Sequence, residues 1–458
     1  MLTLITIAAT GIIILYTTFF KSRKLLVPIA ITGALTALAF NISDWNTNQL
    51  LFNNMMKIDN YSVAFNSVMI LSLILILLLS HQYFKGVDKN VSEIYSLLFF
   101  SFTGACLLTS FNNFTMLFIG IETMSIPLYV LAGSKKFSIR SNEASFKYFI
   151  MGSFATAIFL LGVALVYGVT GSFNMSEVSE YISATAKISS LMKLGILFIV
   201  ISIGFKIAAA PFHFWAPDVY EGSPTLVTTY MATVVKVAGI AALLRLLTGC
   251  FIGAAAEWQH ILEAFIILSF VIGNFGAIQQ QSVKRMLAYS SISHTGFMLL
   301  AIIAINQFSA SSLLYYSLSY SLATIAAFAV LILVKNYKNS DASYESFNGL
   351  AKHNPFLAFV MLTAMLSMTG IPITAGFFAK YYVFLASVKS GYSWLVICAI
   401  IAALVGVAYY FRIIINMYYK ESNSEKIIKD NYFVISLIIA TAITLAVGIL
   451  PQFIIGLI

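Results

Sequence analysis

Residues 62–83 read SVAFNSVMILSLILILLLSHQY, 22 consecutive positions without an Asp, Glu, Lys or Arg. A helix needs about 20 apolar residues to cross the ~30 Å hydrocarbon layer of a bilayer, so this run is long enough. A membrane β-strand would instead need a segment of about ten residues with alternating polarity. The stretch therefore predicts a transmembrane helix.

Similar runs fill the chain on both sides of this stretch. The charged fraction of the 458 residues is only 9% and the hydrophobic fraction is 60%, whereas about a quarter of the residues are charged in a soluble domain. Together with 62–83, the apolar segments number fourteen and lie at 2–20, 25–41, 62–83, 93–110, 114–133, 145–169, 191–212, 224–248, 260–280, 287–305, 310–334, 355–387, 394–419 and 432–456. We predict an all-α polytopic membrane protein with about 14 transmembrane helices in one integral membrane domain, 1–458.

The basic residues alternate between the predicted loops. Of the 26 Lys and Arg residues, sixteen fall in odd-numbered loops, four lie in even-numbered loops or, for Lys193, at the very start of a segment, and six lie deeper within the segments. Because Lys and Arg concentrate in short cytoplasmic loops, both termini are predicted to face away from the cytoplasm. The net charge of +9 then reflects these loops rather than a nucleic-acid partner. Segment 2–20 lacks a basic head and a small-residue cleavage site, so it predicts a retained helix rather than a signal peptide.

Sequence motifs for cofactors are not found in the chain. There is no G-x-G-x-x-G followed by an acidic residue, no phosphate-binding loop and no pair of histidines at haem-ligand positions. Cys106, Cys250 and Cys398 are far apart in apolar surroundings, which indicates core cysteines rather than a disulfide or a metal centre. We therefore predict no nucleotide, flavin, iron-sulfur or metal site in this chain.

Charged residues inside the predicted helices are the candidate functional residues, because each costs about 2.5–3.5 kcal/mol at the bilayer centre. Glu122 is the single mid-helix position among 17 acidic residues. Its alternative interpretation is a carboxylate satisfied by the neighbouring Thr123 and Ser125. Lys236 lies about twelve residues, or ~18 Å, from either end of its helix, too deep for its ammonium to reach the interface.

Three further lysines lie within the segments. A position at a helix end does not readily explain Lys206 and Lys380, as it does not explain Lys236. The alternative interpretation of Lys206 and Lys236 is that both form structural ion pairs within the bundle. Lys147 lies four residues after Glu143, so an ion pair along the helix or a snorkelling side chain would explain it.

Buried lysines with one buried carboxylate favour proton chemistry. Removal from water disfavours the charged form of a lysine, and a carboxylate at ~4 Å restores it by about 4 kcal/mol at an effective dielectric of 20. Moving Glu122 towards or away from a lysine would therefore load or unload a proton. Binding of Na⁺ or K⁺ is less favoured, because ammonium groups repel cations.

Two of the predicted helices contain a proline that breaks them. Pro211 frees the carbonyl of Ile207, and Pro372 frees that of Met368. These breaks fall in the seventh and twelfth segments, five helices apart, and each lies near a lysine. An odd repeat of five helices must be inverted relative to its partner, and interrupted helices at corresponding positions of inverted repeats indicate a transport site. The alternative is that prolines are simply common in membrane helices.

Several motifs resemble one known family. They are FIGIETMSIPLY at 118–129, NEASFKYF at 142–149, GFKIAAAPFHFW at 204–215, PDVYEGSP at 217–224, KRMLAYSSISHTG at 284–296 and GIPITAGFFAK at 370–380. Over essentially its whole length, the chain resembles the antiporter-like membrane subunits of proton-pumping NADH-quinone oxidoreductase, respiratory complex I. The run around Pro211 to Pro224 is highly specific, whereas Gly-Ile-Pro alone would be weak.

The resemblance implies a fold and an arrangement of domains. It implies fourteen helices with two inverted five-helix repeats, helices 4–8 and 9–13, in which helices 7 and 12 are broken. The corresponding ranges are three N-terminal helices at 1–91, a first repeat at 92–248, a second repeat at 260–420 and a C-terminal helix at 431–458.

The resemblance also implies roles for individual residues. Glu122 would pair with Lys206 as a gating ion pair, Lys236 would be the central relay, and Lys380 would be the exit lysine of the second half-channel. The family's helix-six lysine corresponds to Lys147. Family histidines correspond to His213 and His294, which would either relay protons or pack around the broken helices. The second repeat has no carboxylate matching that of the first.

The implied cofactors belong to other chains. NADH, FMN, iron-sulfur clusters and quinone would be held by partner subunits, and electrons would never enter this chain. Its own partners would be other membrane subunits and the lipid bilayer, with quinone not bound directly. The expected location is a bacterial inner membrane, with the mitochondrial inner membrane less favoured. The main alternative is a subunit of a multi-subunit cation/proton antiporter of the same fold, followed by a solute carrier and a purely architectural subunit.

Overall fold

The computed structural model describes residues 1–20, 25–85, 90–338, 342–421 and 426–457. Its first fourteen α-helices are α1 (Leu2–Thr17), α2 (Leu26–Ser43), α3 (Asn60–Tyr83), α4 (Val91–Ser110), α5 (Phe114–Ala132), α6 (Ile139–Thr170), α7 (Met175–Ala184), α8 (Ser190–Lys206), α9 (Trp215–Gly222), α10 (Thr225–Tyr230), α11 (Lys236–Gly249), α12 (Ala255–Ile278), α13 (Val283–Ile303) and α14 (Ser309–Lys338). They are followed by α15 (Leu350–His353), α16 (Pro355–Thr369), α17 (Ala375–Lys389), α18 (Ser393–Tyr419), α19 (Asn431–Ile449) and α20 (Gln452–Ile455). Loop segments 21–24 and 86–89, which carry part of the predicted cytoplasmic charge, lie outside these ranges.

The prediction of an all-α polytopic membrane protein is confirmed. Within the described ranges, eleven helical stretches are long and apolar enough to cross a membrane. Two further apolar helices, α1 and α16, are shorter than that length. The count of fourteen therefore stays a prediction.

The helices differ in how deeply they are buried. Side chains of α3, α13, α14 and the stretch 225–249 are buried almost throughout, whereas fewer than half of those in α6, α12, α18 and α19 are buried. The exposed side chains of the outer helices include apolar ones such as Phe154 and Leu404. A helix that is apolar on all sides suits both positions, because its outer face then contacts lipid.

Both predicted helix breaks are present. Helix α8 ends at Lys206, and helical structure resumes only at Trp215 in α9, so the break is longer than the proline alone indicates. Helix α16 ends at Thr369, and α17 begins at Ala375. The carbonyl of Ile207 accepts a hydrogen bond from the Thr295 hydroxyl at 3.0 Å, and that of Met368 accepts one from the Lys380 ammonium at 3.1 Å. Side chains thus satisfy both freed carbonyls, as a lipid environment requires.

A third irregularity was not predicted. Helices α10 and α11 are joined by a five-residue π-helix, Met231–Val235, so that 225–249 forms one continuous helical stretch. Such insertions in α-helices are frequent at functional sites. The π-helix ends immediately before Lys236.

Two predicted loops contain short elements. Strands β1 (Gln49–Leu51) and β2 (Met56–Ile58) form an antiparallel pair before α3. Helix α7 lies in the predicted loop 170–190 and buries Met175, Val178 and Ile182. Their spacing of three and four residues gives α7 one apolar side, which is typical of a helix lying on the protein surface.

Candidate functional site

Helix α5 carries three polar groups on one side. Glu122, Ser125 and Tyr129 are spaced three and four residues apart, so their side chains point the same way. One carboxylate oxygen of Glu122 accepts a hydrogen bond from the Thr156 hydroxyl of α6 at 2.7 Å. Glu122 is therefore held by a neutral donor on the neighbouring helix.

Lys206, the last residue of α8, faces the same side of α5. Its ammonium donates to the Ser125 hydroxyl at 3.1 Å and to the Tyr129 hydroxyl at 3.2 Å. Among the described residues, no salt bridge within 4.0 Å joins Lys206 to Glu122. The two charges thus lie on one polar side of α5 without direct contact, and the predicted gating pair stays a prediction.

Lys236 is the most deeply buried of the candidate lysines, with 2% of its surface exposed against 7% for Lys206 and 8% for Lys380. Its ammonium donates to the Ser291 carbonyl at 2.6 Å, to the Ser291 hydroxyl and to the Thr295 hydroxyl at 2.8 Å. A lysine ammonium has three N–H donors, so all three are used. Each acceptor is a neutral oxygen of α13.

The break after α8 is linked to Lys236 by one side chain. The Thr295 hydroxyl accepts from Lys236 and donates to the Ile207 carbonyl, the residue directly after Lys206. Tyr320 of α14 donates to the Ser291 hydroxyl at 3.0 Å, and its ring centre lies 5.9 Å from the Lys236 ammonium. Polar groups therefore continue from the first break to the central lysine.

His294 lies on α13 between these groups and the second break. One ring nitrogen, Nδ1, is 2.6 Å from the Tyr316 hydroxyl, and the other, Nε2, is 3.1 Å from the Tyr410 hydroxyl. A small cavity with an empty volume of about 220 Å³ is lined by His294, Tyr316 and Tyr320 on one side and by Lys380 on the other. The sequence-predicted residues Lys236, His294 and Lys380 are thus brought into one polar region.

Lys380 closes the end of a broken helix. Its ammonium donates to the last carbonyls of α16, those of Met368 at 3.1 Å and Thr369 at 2.7 Å. Gly370 follows with a φ of 88°, in the left-handed region that favours glycine. A Cβ at Gly370 would lie 2.9 Å from Cδ of Lys380, so the glycine also leaves room for the lysine stem.

Lys147 belongs to a separate group of charges at the start of α6. Its ammonium pairs with Glu143 at 2.7 Å and with Asp218 at 2.8 Å. Asp218 also pairs with Arg285 at 2.9 Å, and Arg285 pairs with Glu221 at 2.8 Å. These groups surround an open cavity with an empty volume of about 630 Å³, which we call the vestibule. The alternative interpretation of Lys147, an ion pair along its own helix, is therefore observed.

Electrostatics in the vestibule favour its charged forms. Partial burial opposes ionisation of Asp218, but hydrogen bonds from Lys147 and Arg285 outweigh it and lower the pKa of that carboxyl. The Asp218 carboxylate therefore holds the start of α6, the half-helix α9 and α13 together.

His213 stands apart from the other candidates. It lies in the break between α8 and α9, where Nδ1 is 3.2 Å from the Pro211 carbonyl and the ring packs on Phe214 with centres 4.6 Å apart. Among the described residues, its contacts do not include another candidate. The packing interpretation thus accounts for the contacts that are seen.

Sequence reasoning missed most of the neutral groups around the candidate residues. They are Tyr129, Ser291, Thr295 and Tyr320 around the lysines, Thr156 at Glu122, and Tyr316 and Tyr410 at His294. Ser125 was named as a neighbour of Glu122 but not as the partner of Lys206. A usable signal exists for some of them, because Ser125 lies one turn from Glu122 and the run SSISHT at 290–295 places hydroxyls on either side of His294. Within the described ranges, no group of three or more His, Cys, Asp or Glu residues could hold a metal ion.

Comparisons with known proteins place this geometry in context. A family model described as NADH:quinone oxidoreductase/Mrp antiporter, TM, matches residues 111–406. NADH-quinone oxidoreductase subunit N of Flavobacterium johnsoniae is 42% identical over 463 aligned residues, which cover 99% of each chain.

Two solved structures are similar over nearly the whole chain. A chain of respiratory complex I from Thermus thermophilus with bound aureothin is 31% identical with a TM-score of 0.85, and the match covers 99% of this chain and 98% of that one. A chain of the Mrp complex from Dietzia sp. DQ12-45-1b has a TM-score of 0.88 at 18% identity, covering 99% and 95%. At that identity the second likeness shows the fold alone.

Proposed function

The chain belongs to the family of antiporter-like membrane subunits N of NADH-quinone oxidoreductase, or complex I, and from this premise we propose that it translocates protons. The proposed path uses Glu122 and Lys206, then Lys236, then Lys380. The observation that carries the proposal is the burial of Lys236 among neutral oxygens of α13, between two broken helices.

Neutral partners let a buried lysine change its charge. A carboxylate in contact would hold the ammonium form by about 4 kcal/mol at ~4 Å and an effective dielectric of 20. Hydroxyl groups bind either form, because a hydroxyl both donates and accepts. The surroundings of Lys236 therefore support a group that gains and loses a proton without leaving an unpaired charge.

Glu122 would control the first step. The polar side of α5 holds Glu122 through Thr156 and Lys206 through Ser125 and Tyr129. Movement of Lys206 towards the carboxylate would favour the ammonium form, and movement away would favour release of the proton towards Lys236. The Thr295 hydroxyl, bonded to both Lys236 and the Ile207 carbonyl, is suited to couple these positions.

The second half of the path would run from Lys236 to Lys380. His294 and Tyr316 line the cavity that also contacts Lys380, so they are suited to pass a proton between the two lysines. Carbonyls rather than a carboxylate hold Lys380, in keeping with the lack of a second residue like Glu122. Lys147 and His213 are proposed as secondary sites of the path. Lys147 lies in the vestibule and His213 lies in the first break.

The finer architecture belongs to the same proposal. We assign fourteen membrane helices, two inverted repeats at 92–248 and 260–420, and both termini on the non-cytoplasmic side of a bacterial inner membrane. The repeat is supported by the two breaks, between α8 and α9 and between α16 and α17, each of which has a lysine beside it: Lys206 ends the helix before the first break, and Lys380 lies in the first two turns of the helix after the second. Other membrane subunits would pack on the outer helices, and NADH, FMN, iron-sulfur clusters and quinone would lie in partner subunits.

Substitution of the central lysine tests the function. We expect complex carrying Lys236→Met to lose NADH-driven proton pumping and coupled NADH-quinone activity by about tenfold or more, because positioned proton-transfer groups contribute roughly 10² or more. The matched control is Lys352→Met, which removes an exposed lysine of α15. Assembly is checked on native gels and by NADH oxidation with a water-soluble acceptor.

Either result has a definite meaning. Loss of pumping in assembled Lys236→Met complex, with a normal control, supports the relay. Normal pumping without this lysine would leave the chain an architectural subunit. Pumping that requires Na⁺ would instead favour the cation/proton antiporter.

A further inference from the structure

A fourth buried lysine lies outside the proposed path. Lys284, near the start of α13, is only 3% exposed. Its ammonium donates to the carbonyls of Glu221 and Ser223, where the half-helix α9 ends. The charges that act on it are those of Lys335 and Lys135, which repel the ammonium, and that of Glu221, which attracts it. A buried ammonium under net repulsion is suited to giving up a proton.

Lys284 lies directly behind the vestibule. The Glu221 carbonyl accepts from Lys284, while the Glu221 carboxylate pairs with Arg285 at the vestibule surface. Arg285 is the next residue along α13, and its side chain lines the cavity, whereas the side chain of Lys284 is buried behind it. Glu221 thus contacts the vestibule through its carboxylate and Lys284 through its carbonyl.

Helix α13 leads from Lys284 to the central lysine. Ser291 and Thr295 follow Lys284 by seven and eleven residues, which places all three on one side of the helix, with Lys284 and Ser291 about 10.5 Å apart along the axis. Ser291 and Thr295 are the residues that hold the Lys236 ammonium. The same side of α13 thus begins at the vestibule and ends at Lys236.

Hydroxyl groups lie near both lysines. Tyr220 of α9 and Tyr320 of α14 both interact with the Ser291 hydroxyl. Ser223, whose carbonyl accepts from Lys284, has a buried hydroxyl without a partner among the described residues. Unpaired buried hydroxyls are the usual partners of internal water molecules.

We propose that Lys284 takes up protons from the vestibule and delivers them to Lys236 through Ser223, Tyr220 and Ser291, by a route that bypasses Glu122 and Lys206. This inference rests on the proposed function, because it needs Lys236 as the acceptor. Neutral Lys284 takes a proton from vestibule water, and its ammonium gives one to the hydroxyl chain. Each hydroxyl passes on one proton as it receives one, so only neutral Lys236 ends with an added proton.

Two substitutions separate proton transfer from helix capping. Lys284→Arg keeps donors for the Glu221 and Ser223 carbonyls, but a guanidinium does not release its proton in a protein. Lys284→His supplies a group that can both take up and release a proton and whose pKa in water is about 6.5. We expect assembled Lys284→Arg complex to lose NADH-driven pumping by about tenfold or more. Lys284→His should pump better than Lys284→Arg near pH 6.5 and lose this advantage towards pH 8, each relative to wild type at the same pH.

The set of variants distinguishes the possible failures. Wild-type pumping by Lys284→Arg would overturn the inference and make Lys284 a cap of α9. Pumping by Lys284→His that matches Lys284→Arg at every pH would overturn the transfer step. Lys236→Met is measured alongside: if it loses pumping while Lys284→Arg does not, this inference alone fails, and if it pumps normally, the proposed function fails. Lys352→Met remains the control.

Discussion

At the residue level, Glu122 and Lys206 each have neutral hydrogen-bond partners. Thr156 donates to the carboxylate, while Ser125 and Tyr129 accept from the ammonium. Because Glu122 lies about one turn of α5 before Ser125, a shift of the Lys206 ammonium by about 5 Å along this helix would bring the two charges together. The arrangement is suited to a pair that forms in only part of a cycle.

Thr156 gives a test of this arrangement. In Thr156→Val the carboxylate of Glu122 loses its donor at nearly constant volume, so its charged form becomes less favourable. A hydrogen bond to a charged group contributes about 1.5 kcal/mol or more, which corresponds to roughly tenfold, and we expect a fall of about this size in coupled NADH-quinone activity.

The control for this prediction lies on α4. The Thr103 hydroxyl bonds only the Phe99 carbonyl of its own helix among the described residues, so Thr103→Val should leave activity unchanged. Equal activities of the two variants would contradict a role for the Thr156 bond.

The sequence predicted the charged residues of the site better than their partners. Glu122 and Lys236 stand out because charges inside apolar runs are rare and costly. Ser291 and Thr295 do not stand out, because hydroxyl residues are frequent in these helices and only the packing of α13 on α11 selects them. Lys284 was counted as a loop residue, since its burial depends on α9 folding over the start of α13.

At the level of elements, the two helix breaks were predictable because proline removes a specific hydrogen bond. The extent of the first break was not predictable, since 207–214 is held by tertiary contacts such as the hydrogen bond from the Trp215 indole to the Phe205 carbonyl at 2.9 Å. The π-helix before Lys236 was also missed. Its residues, MATVV, include neither proline nor glycine, so only tertiary packing explains it.

The start of α17 gives a prediction about packing at the second break. A Cβ on Gly376 would lie 1.7 Å from the Ser367 carbonyl oxygen of α16, and the backbone cannot yield without moving the Lys380 cap. We expect Gly376→Ala to destabilise the second break by more than the 1–3 kcal/mol that is typical of overpacking. The measurement is the amount of assembled complex and the activity that survives heating.

A matched control for Gly376→Ala exists in α6. A Cβ on Gly168 would meet nothing within 4 Å, so Gly168→Ala should be neutral or slightly stabilising through better helix propensity. Full assembly and heat resistance of Gly376→Ala would show that α16 and α17 are less tightly packed than the structure indicates.

At the level of the whole molecule, burial tells which helices form the centre of the bundle, and the distribution of charge tells how the bundle is oriented in the membrane. Apolar periodicity is weak in helices that are apolar all round, so the sequence did not tell which helices form the centre. Packing shows that α13, α14 and 225–249 do. The orientation in the membrane rests on the alternation of basic loops alone.

Cysteine labelling tests that orientation. Lys136 and Lys187 are both exposed, and the alternation places Lys136 in a cytoplasmic loop and Lys187 in a loop on the opposite side. In a Cys398→Ser background, we expect a membrane-impermeant thiol reagent to label Lys187→Cys in intact cells and Lys136→Cys only after lysis. The remaining cysteines, Cys106 and Cys250, are buried. The reverse pattern would invert the orientation of both termini.

The acceptors around two lysines have one more consequence. Lys380 is held by two carbonyls, whereas Lys236 has two hydroxyls among its three acceptors. A carbonyl accepts only, but a hydroxyl can reverse its hydrogen bond and donate to the lone pair of an uncharged amine. When Lys380 is neutral, its two remaining N–H groups still bind both carbonyls and its lone pair is open to the next donor. When Lys236 is neutral, Ser291 or Thr295 can rotate and cover its lone pair. Discharge would thus leave the lone pair of Lys380 without a donor among its present partners, whereas the lone pair of Lys236 would already be bonded to a hydroxyl that can pass it a proton.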